Sequence, residues 1–72
     1  MMDAKLIGKK LLSLRTKSKK TRKEVVEACN ISVSTLIMYE IGERIPKDEI
    51  KIRLAKYYKR SIVSIFLVKM SH

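Results

Sequence analysis

The sequence predicts an all-α domain of five short helices, and three observations carry that prediction. Apolar residues recur at spacings of three and four along most of the chain. Capping residues precede these runs, and helix-ending residues follow them. The stretch from Thr21 to Gly42, TRKEVVEACNISVSTLIMYEIG, places two such patterns on either side of a tight bend. It reads as a helix-turn-helix, and the other elements are arranged to support it.

Met1 to Lys5 read as a frayed lead-in. From Leu6, the residues Ile7, Leu11 and Leu14 define an amphipathic first helix ending near Ser18, with Lys9, Lys10, Ser13 and Lys17 on its polar side. Arg15 adjoins the apolar edge, where a guanidinium is costly to bury without an anion. It is either an ordinary exposed arginine or the partner of Glu40. Lys17, Lys19, Lys20, Arg22 and Lys23 then crowd the loop and the next helix start. Cations at that end oppose the helix dipole, which makes sense where a phosphate receives both amides and cations, and a solvated basic loop is the plainer alternative.

The second helix opens with a capping box: the Thr21 hydroxyl accepts from the Glu24 amide while the glutamate reaches back. Val25, Val26, Ala28 and Cys29 form its apolar stripe, and Asn30 tolerates the left-handed backbone of a helix-ending bend. Ile31 plugs the bend. Ser32 caps a third helix running to about Ile41, and Gly42 stops it. On this helix Leu36, Tyr39 and Glu40 share the side of Ser32, whereas Val33, Ser34, Ile37, Met38 and Ile41 face outward.

Glu43 to Lys47 reads as a loop, since Pro46 disfavours helix at Ile45 and has the geometry to begin a new one. Asp48 and Glu49 suit the positive end of a fourth helix that buries Ile50, Leu54, Ala55, Tyr57 and Tyr58. The two tyrosines continue the stripe, which favours packing over base stacking. Ser61 caps a short fifth helix containing Ile62, Ile65 and Phe66. Leu67, Val68 and Met70 either finish the core or meet another copy. The expected organisation is one domain over residues 1–72, with a core from 6 to 66 and a tail, 67–72, as a candidate dimer contact.

A chain of 72 residues buries only about 60 % of its unfolded surface, so close helix packing or association must support it. Seventeen Lys and Arg against seven Asp and Glu leave a net charge of +10, which points to a polyanionic partner, nucleic acid first. Cys29 is the only cysteine and His72 the only histidine, so neither a disulfide nor a zinc site is expected, and no cofactor is called for. No apolar run has the length of a signal peptide or membrane span, and a cytoplasmic, nucleoid-associated protein is expected. Gly8 and Gly42 are isolated, paired carboxylates and a nucleophile triad are missing, and catalysis is not expected.

Taken together, Leu14-Arg15, Thr21 with Val25 and Val26, Asn30-Ile31-Ser32, Leu36, Tyr39-Glu40, Gly42, Pro46, Leu54-Ala55, and Ser61-Ile62 with Ile65-Phe66 resemble the phage-repressor, or Cro/Xre, family of helix-turn-helix DNA-binding domains. The match runs from Ile7 to about Phe66. The resemblance implies a five-helix lambda-repressor-like domain with helices 2 and 3 as the motif, the third helix in the major groove and the start of the second against the DNA backbone. It also implies a structural ion pair between Arg15 and Glu40.

Three departures are mild: Asn30 for the usual turn glycine, Val26 for a favoured alanine, and Arg22 for a frequent glutamine. A larger one is the outward face of the third helix, where Val33, Ser34, Ile37 and Met38 replace the Gln, Asn, Arg or Lys that read base edges. Readout should then rest on thymine methyls, Ser34 and DNA shape.

The expected function is a sequence-specific, repressor-like regulator of transcription, bound to double-stranded DNA as a homodimer on a two-fold operator. The expected DNA-binding residues are Arg22, Lys23, Ser32, Val33, Ser34, Thr35, Ile37, Met38, Arg44 and Lys47. The alternative is a protein-interaction module of antitoxin or antirepressor type, with a protein partner on the apolar outer face of the third helix.

Overall fold

The structure is a computed structural model, and residues 3–66 are described. Five helices follow in order: α1 (Ala4–Lys17), α2 (Arg22–Cys29), α3 (Val33–Glu40), α4 (Asp48–Tyr58) and α5 (Ile62–Phe66). The proposed dimer contact at 67–72 lies outside the described residues. Among those described, no helix is long and apolar enough to cross a membrane.

α1 begins earlier than Leu6, and the reason is a cap that periodicity does not reveal. The Asp3 carboxylate accepts from the amides of Lys5 and Leu6 at 3.0 and 3.3 Å, so the expected frayed lead-in is ordered from Asp3 onward. The Thr21 capping box forms with both bonds, 2.8 and 3.1 Å, and the Thr21 amide holds the Glu24 carboxyl below the usual carboxylate range. Ser32 and Ser61 cap α3 and α5 as expected. α4 starts at Asp48, with Lys47 at the cap position and no side-chain cap bond, so Pro46 closes the loop instead of opening the helix.

α1 through α4 end in the same way. Lys19, Asn30, Gly42 and Lys59 each adopt a left-handed backbone, with φ of 57°, 58°, 82° and 57°. The amide that follows each of them bonds back to the carbonyl five residues earlier: Lys20 to Arg15, Ile31 to Val26, Glu43 to Met38, and Arg60 to Ala55. This is the Schellman closure, for which glycine is the unstrained choice. A side chain in that backbone region costs about 1 kcal/mol. Lys59→Gly should therefore raise stability by about 1 kcal/mol, read as a higher urea midpoint at unchanged slope. An unchanged or lower midpoint would show that the Lys59 side chain contributes as much as its backbone loses.

The core gathers Ile7, Leu11, Val25, Val26, Cys29, Leu36, Tyr39, Leu54, Ala55, Ile65 and Phe66, so every helix contributes. Leu14, Ile31, Ile50, Tyr57 and Tyr58 pack around it, and the two tyrosine rings meet edge to face at 5.1 Å. One position of the expected apolar stripe moves outward, as Ala28 is exposed, and in α5 Ile65 and Phe66 are buried while Ile62 is 39 % exposed. Burial pushes the Cys29 thiol up from its ordinary value. Lys51 is buried in α4, its ammonium 3.5 Å from the Asp48 carboxylate and 5.9 Å from the centre of the Phe66 ring. The Arg53 guanidinium donates to the Cys29 carbonyl at 3.3 Å, so α4 ties down the free end of α2.

α1 packs most extensively on α3, and Gly8 sets their separation. A Cβ at Gly8 would lie 2.7 Å from the Tyr39 carbonyl oxygen and 2.6 Å from that of Glu40. Backbone meets backbone at that crossing, and the last turn of α3 is thereby pressed onto the first half of α1. The Lys5 ammonium reinforces the contact by donating to the Ile41 carbonyl at 3.3 Å.

Candidate nucleic-acid interface

α3 divides cleanly along its axis. Leu36, Tyr39 and Glu40 are buried, while Val33 (43 %), Ile41 (50 %), Ser32 and Ser34 are exposed. Ile37, Met38 and Thr35 are half-buried, so the ridge is rooted in the domain instead of standing free of it. At the start of α3 the hydroxyls are bonded to one another: Ser32 Oγ donates to Thr35 Oγ1 at 2.8 Å, and Ser32 and Ser34 share a bond of 3.2 Å.

Glu40, at the inner end of α3, is the electrostatic centre of the motif, with a side chain 1 % exposed. Arg15 Nε donates to its Oε2 at 2.7 Å, and a second Arg15 nitrogen donates to Oε1 at 3.2 Å. The pair is bidentate, and the Glu40 hydrogen bond raises the Arg15 guanidinium above its usual value against the opposing effect of burial. Arg15 also donates to the Lys20 carbonyl at 3.2 Å, which fixes the basic loop before α2. The Tyr58 hydroxyl is buried without a hydrogen-bond partner among the described residues, and burial followed by the nearby Glu40 charge pushes its ionisation upward.

A second cation on Glu40 was not legible beforehand. Arg22, expected on the DNA backbone, donates from Nε to Glu40 Oε1 at 3.0 Å with its side chain 39 % exposed. Its local signal is weak, since the two residues are 18 apart in sequence; the hint is that a buried carboxylate has more lone pairs than one arginine fills. Arg22 thus joins the first turn of α2 to the last of α3, and its other guanidinium nitrogens make no bond among the described residues.

The other expected residues fall around this unit. Lys23 lies beside Arg22 and is exposed, and the amides of both belong to the opening turn of α2, where no intrahelical acceptor exists. Arg44 follows the end of α3, exposed, its amide bonded to the Met38 carbonyl at 3.3 Å. Lys47 is exposed at the cap of α4, further along the loop and with no bond to the others.

Not all the positive charge gathers here. Lys10 and Arg60 border a hollow of about 290 Å³ between α1 and α5, and Arg53 and Lys56 border another between α2 and α4. The arrangement ties the start of α2 to α3 through Arg22 and Glu40 and leaves a general cationic background elsewhere. Such a surface can hold phosphates by charge and by open amides while an apolar ridge enters a groove.

A family model described as helix-turn-helix matches residues 11–65. The chain is similar in structure to the clp gene regulator ClgR from C. glutamicum, with a TM-score of 0.78 and 22 % identity over 86 % of this chain and 80 % of that one. It is also similar to a transcriptional regulator from Listeria innocua, with a TM-score of 0.81 and 26 % identity. That match covers 92 % of this chain but 62 % of the Listeria protein, so this chain spans less than two thirds of its length. No curated protein sequence matches the chain.

Proposed function

Since the chain belongs to the helix-turn-helix family, of the Cro/Xre type, over residues 11–65, we propose that it is a sequence-specific DNA-binding regulator of transcription. In this reading it acts as a repressor and binds a two-fold operator as a homodimer. α3 lies in the major groove, and the opening turn of α2, with Arg22 and Lys23, rests on the backbone. The two similar structures are a clp gene regulator and a transcriptional regulator, which supports the class.

The observation that carries the proposal is the exposure of the outer side of α3 while its inner side is locked into the core and joined by Arg22 to the start of α2. Lys and Arg supply most of the affinity, helix starts fix the register, and α3 selects the sequence. With about 6 to 10 phosphates contacted per complex, affinity should fall on the order of 10³ to 10⁵ fold between 50 and 200 mM salt. Titrating a duplex selected from a random pool measures this, and a salt-independent affinity would remove the mechanism. Two-fold symmetry in the selected sequences tests the homodimer.

One observation favours a second reading, a module that holds a protein partner. Val33, Ile41 and Ile45 are 43, 50 and 40 % exposed, and exposed apolar surface also marks protein interfaces. Partner protection of this ridge without any retention of DNA would select that reading.

A further inference from the structure

Resting on the DNA-binding reading, we infer that α3 recognises the 5-methyl groups of pyrimidines, so that 5-methylcytosine substitutes for thymine at a contacted position. The apolar side chains of the outer face are the exposed Val33 and Ile41 and the half-buried Ile37 and Met38, and none carries an amide, guanidinium or ammonium group. The hydroxyls of Ser34 and Thr35 are bonded to Ser32, which holds them at the start of the helix while the rest of the face stays apolar.

In the major groove guanine, adenine and cytosine present donors and acceptors, whereas thymine adds a methyl group. An apolar side chain pressed on an unmethylated edge strips water from polar atoms and gives nothing back. Pressed on a methyl, it buries apolar surface on both sides. Arg44, exposed and with its amide on the Met38 carbonyl at 3.3 Å, places a cation at the end of the ridge that matches the polyanion carrying those methyls. The methyl of 5-methylcytosine sits on the same pyrimidine carbon as that of thymine. Recognition then follows the methyl and not the base that bears it.

One buried methyl is worth about 0.8 kcal/mol, which corresponds to a change in Kd of about fourfold. The test starts from the full chain and duplexes it selects from a random pool at moderate salt. Deoxyuridine replaces each thymine in turn, and each T·A pair is separately changed to C·G and to 5-methylcytosine·G. Kd should rise about fourfold for uracil at each contacted position and about fifteenfold for two. The methylated cytosine should bind more tightly than the unmethylated one by about fourfold, and Ile37→Ala should flatten the thymine-to-uracil ratio at its position.

A selected duplex that still outcompetes random DNA, with uracil tolerated at every position, overturns this inference and leaves the regulator reading standing. So does a consensus fixed by guanines without thymines. Failure to select any sequence, together with salt-independent binding, overturns the regulator reading and this inference with it.

Discussion

Glu40→Ala should cost about 3 to 5 kcal/mol of stability, because it strands the Arg15 guanidinium in a site built around a carboxylate. Arg15 is 13 % exposed and its pair with Glu40 is bidentate, so little water is available to replace the lost partner. Arg22 adds a smaller share, since at 39 % exposure its charge is already screened by solvent. A 72-residue domain has a total stability of about 4 to 11 kcal/mol on the usual per-residue scale. The variant should therefore lose a large share of that stability, measured as a much lower urea midpoint and, toward the low end of the range, as loss of helical circular dichroism at room temperature. Arg22→Ala should lower stability by less than about 1 kcal/mol. A Glu40→Ala protein with the parent's midpoint would show that the two arginines find other anions and that Glu40 does not hold the motif together.

Ile37→Asp should reduce operator affinity to the level of random DNA, on the order of 10³ fold or more. It replaces an apolar contact in the middle of the ridge with a negative charge facing phosphates. Ile37 is half-buried and its neighbours Leu36 and Tyr39 carry the packing, so the helix content should stay close to the parent's. Competition between selected and random duplexes, with circular dichroism on the same samples, separates the two effects. Retained preference for the selected duplex would remove Ile37 from the contact surface.

What the sequence made legible was what lies close together along the chain. Thr21 with Glu24, Asn30, Ser32 and Gly42 each act within five residues, and their spacing set the limits of α2 and α3 to within a residue or so. The pairing of Arg15 with Glu40 spans 25 residues. Its residues suggested it, and the family resemblance made it an expectation. Arg22 on Glu40 and the contact of Gly8 with the end of α3 depend on how helices cross, which local periodicity does not encode. Asp3 does carry a local signal, since an aspartate three residues before Leu6 is an ordinary N-cap, but its place beside the chain terminus masks it. Helical spacing places Val33, Ser34 and Ile41 on the exposed side of α3, where they lie, but does not show that Ile37 and Met38 are half sunk.

The backbone contact at Gly8 has a thermodynamic corollary. With its last carbonyls against α1 and its carboxylate gripped from two sides, α3 has no slack to take up when a groove closes over it. On the DNA-binding reading proposed above, that face reaches its ligand already ordered. Association should then show the heat-capacity change of a rigid docking, set by the area covered, without the extra loss that accompanies a segment folding on its target.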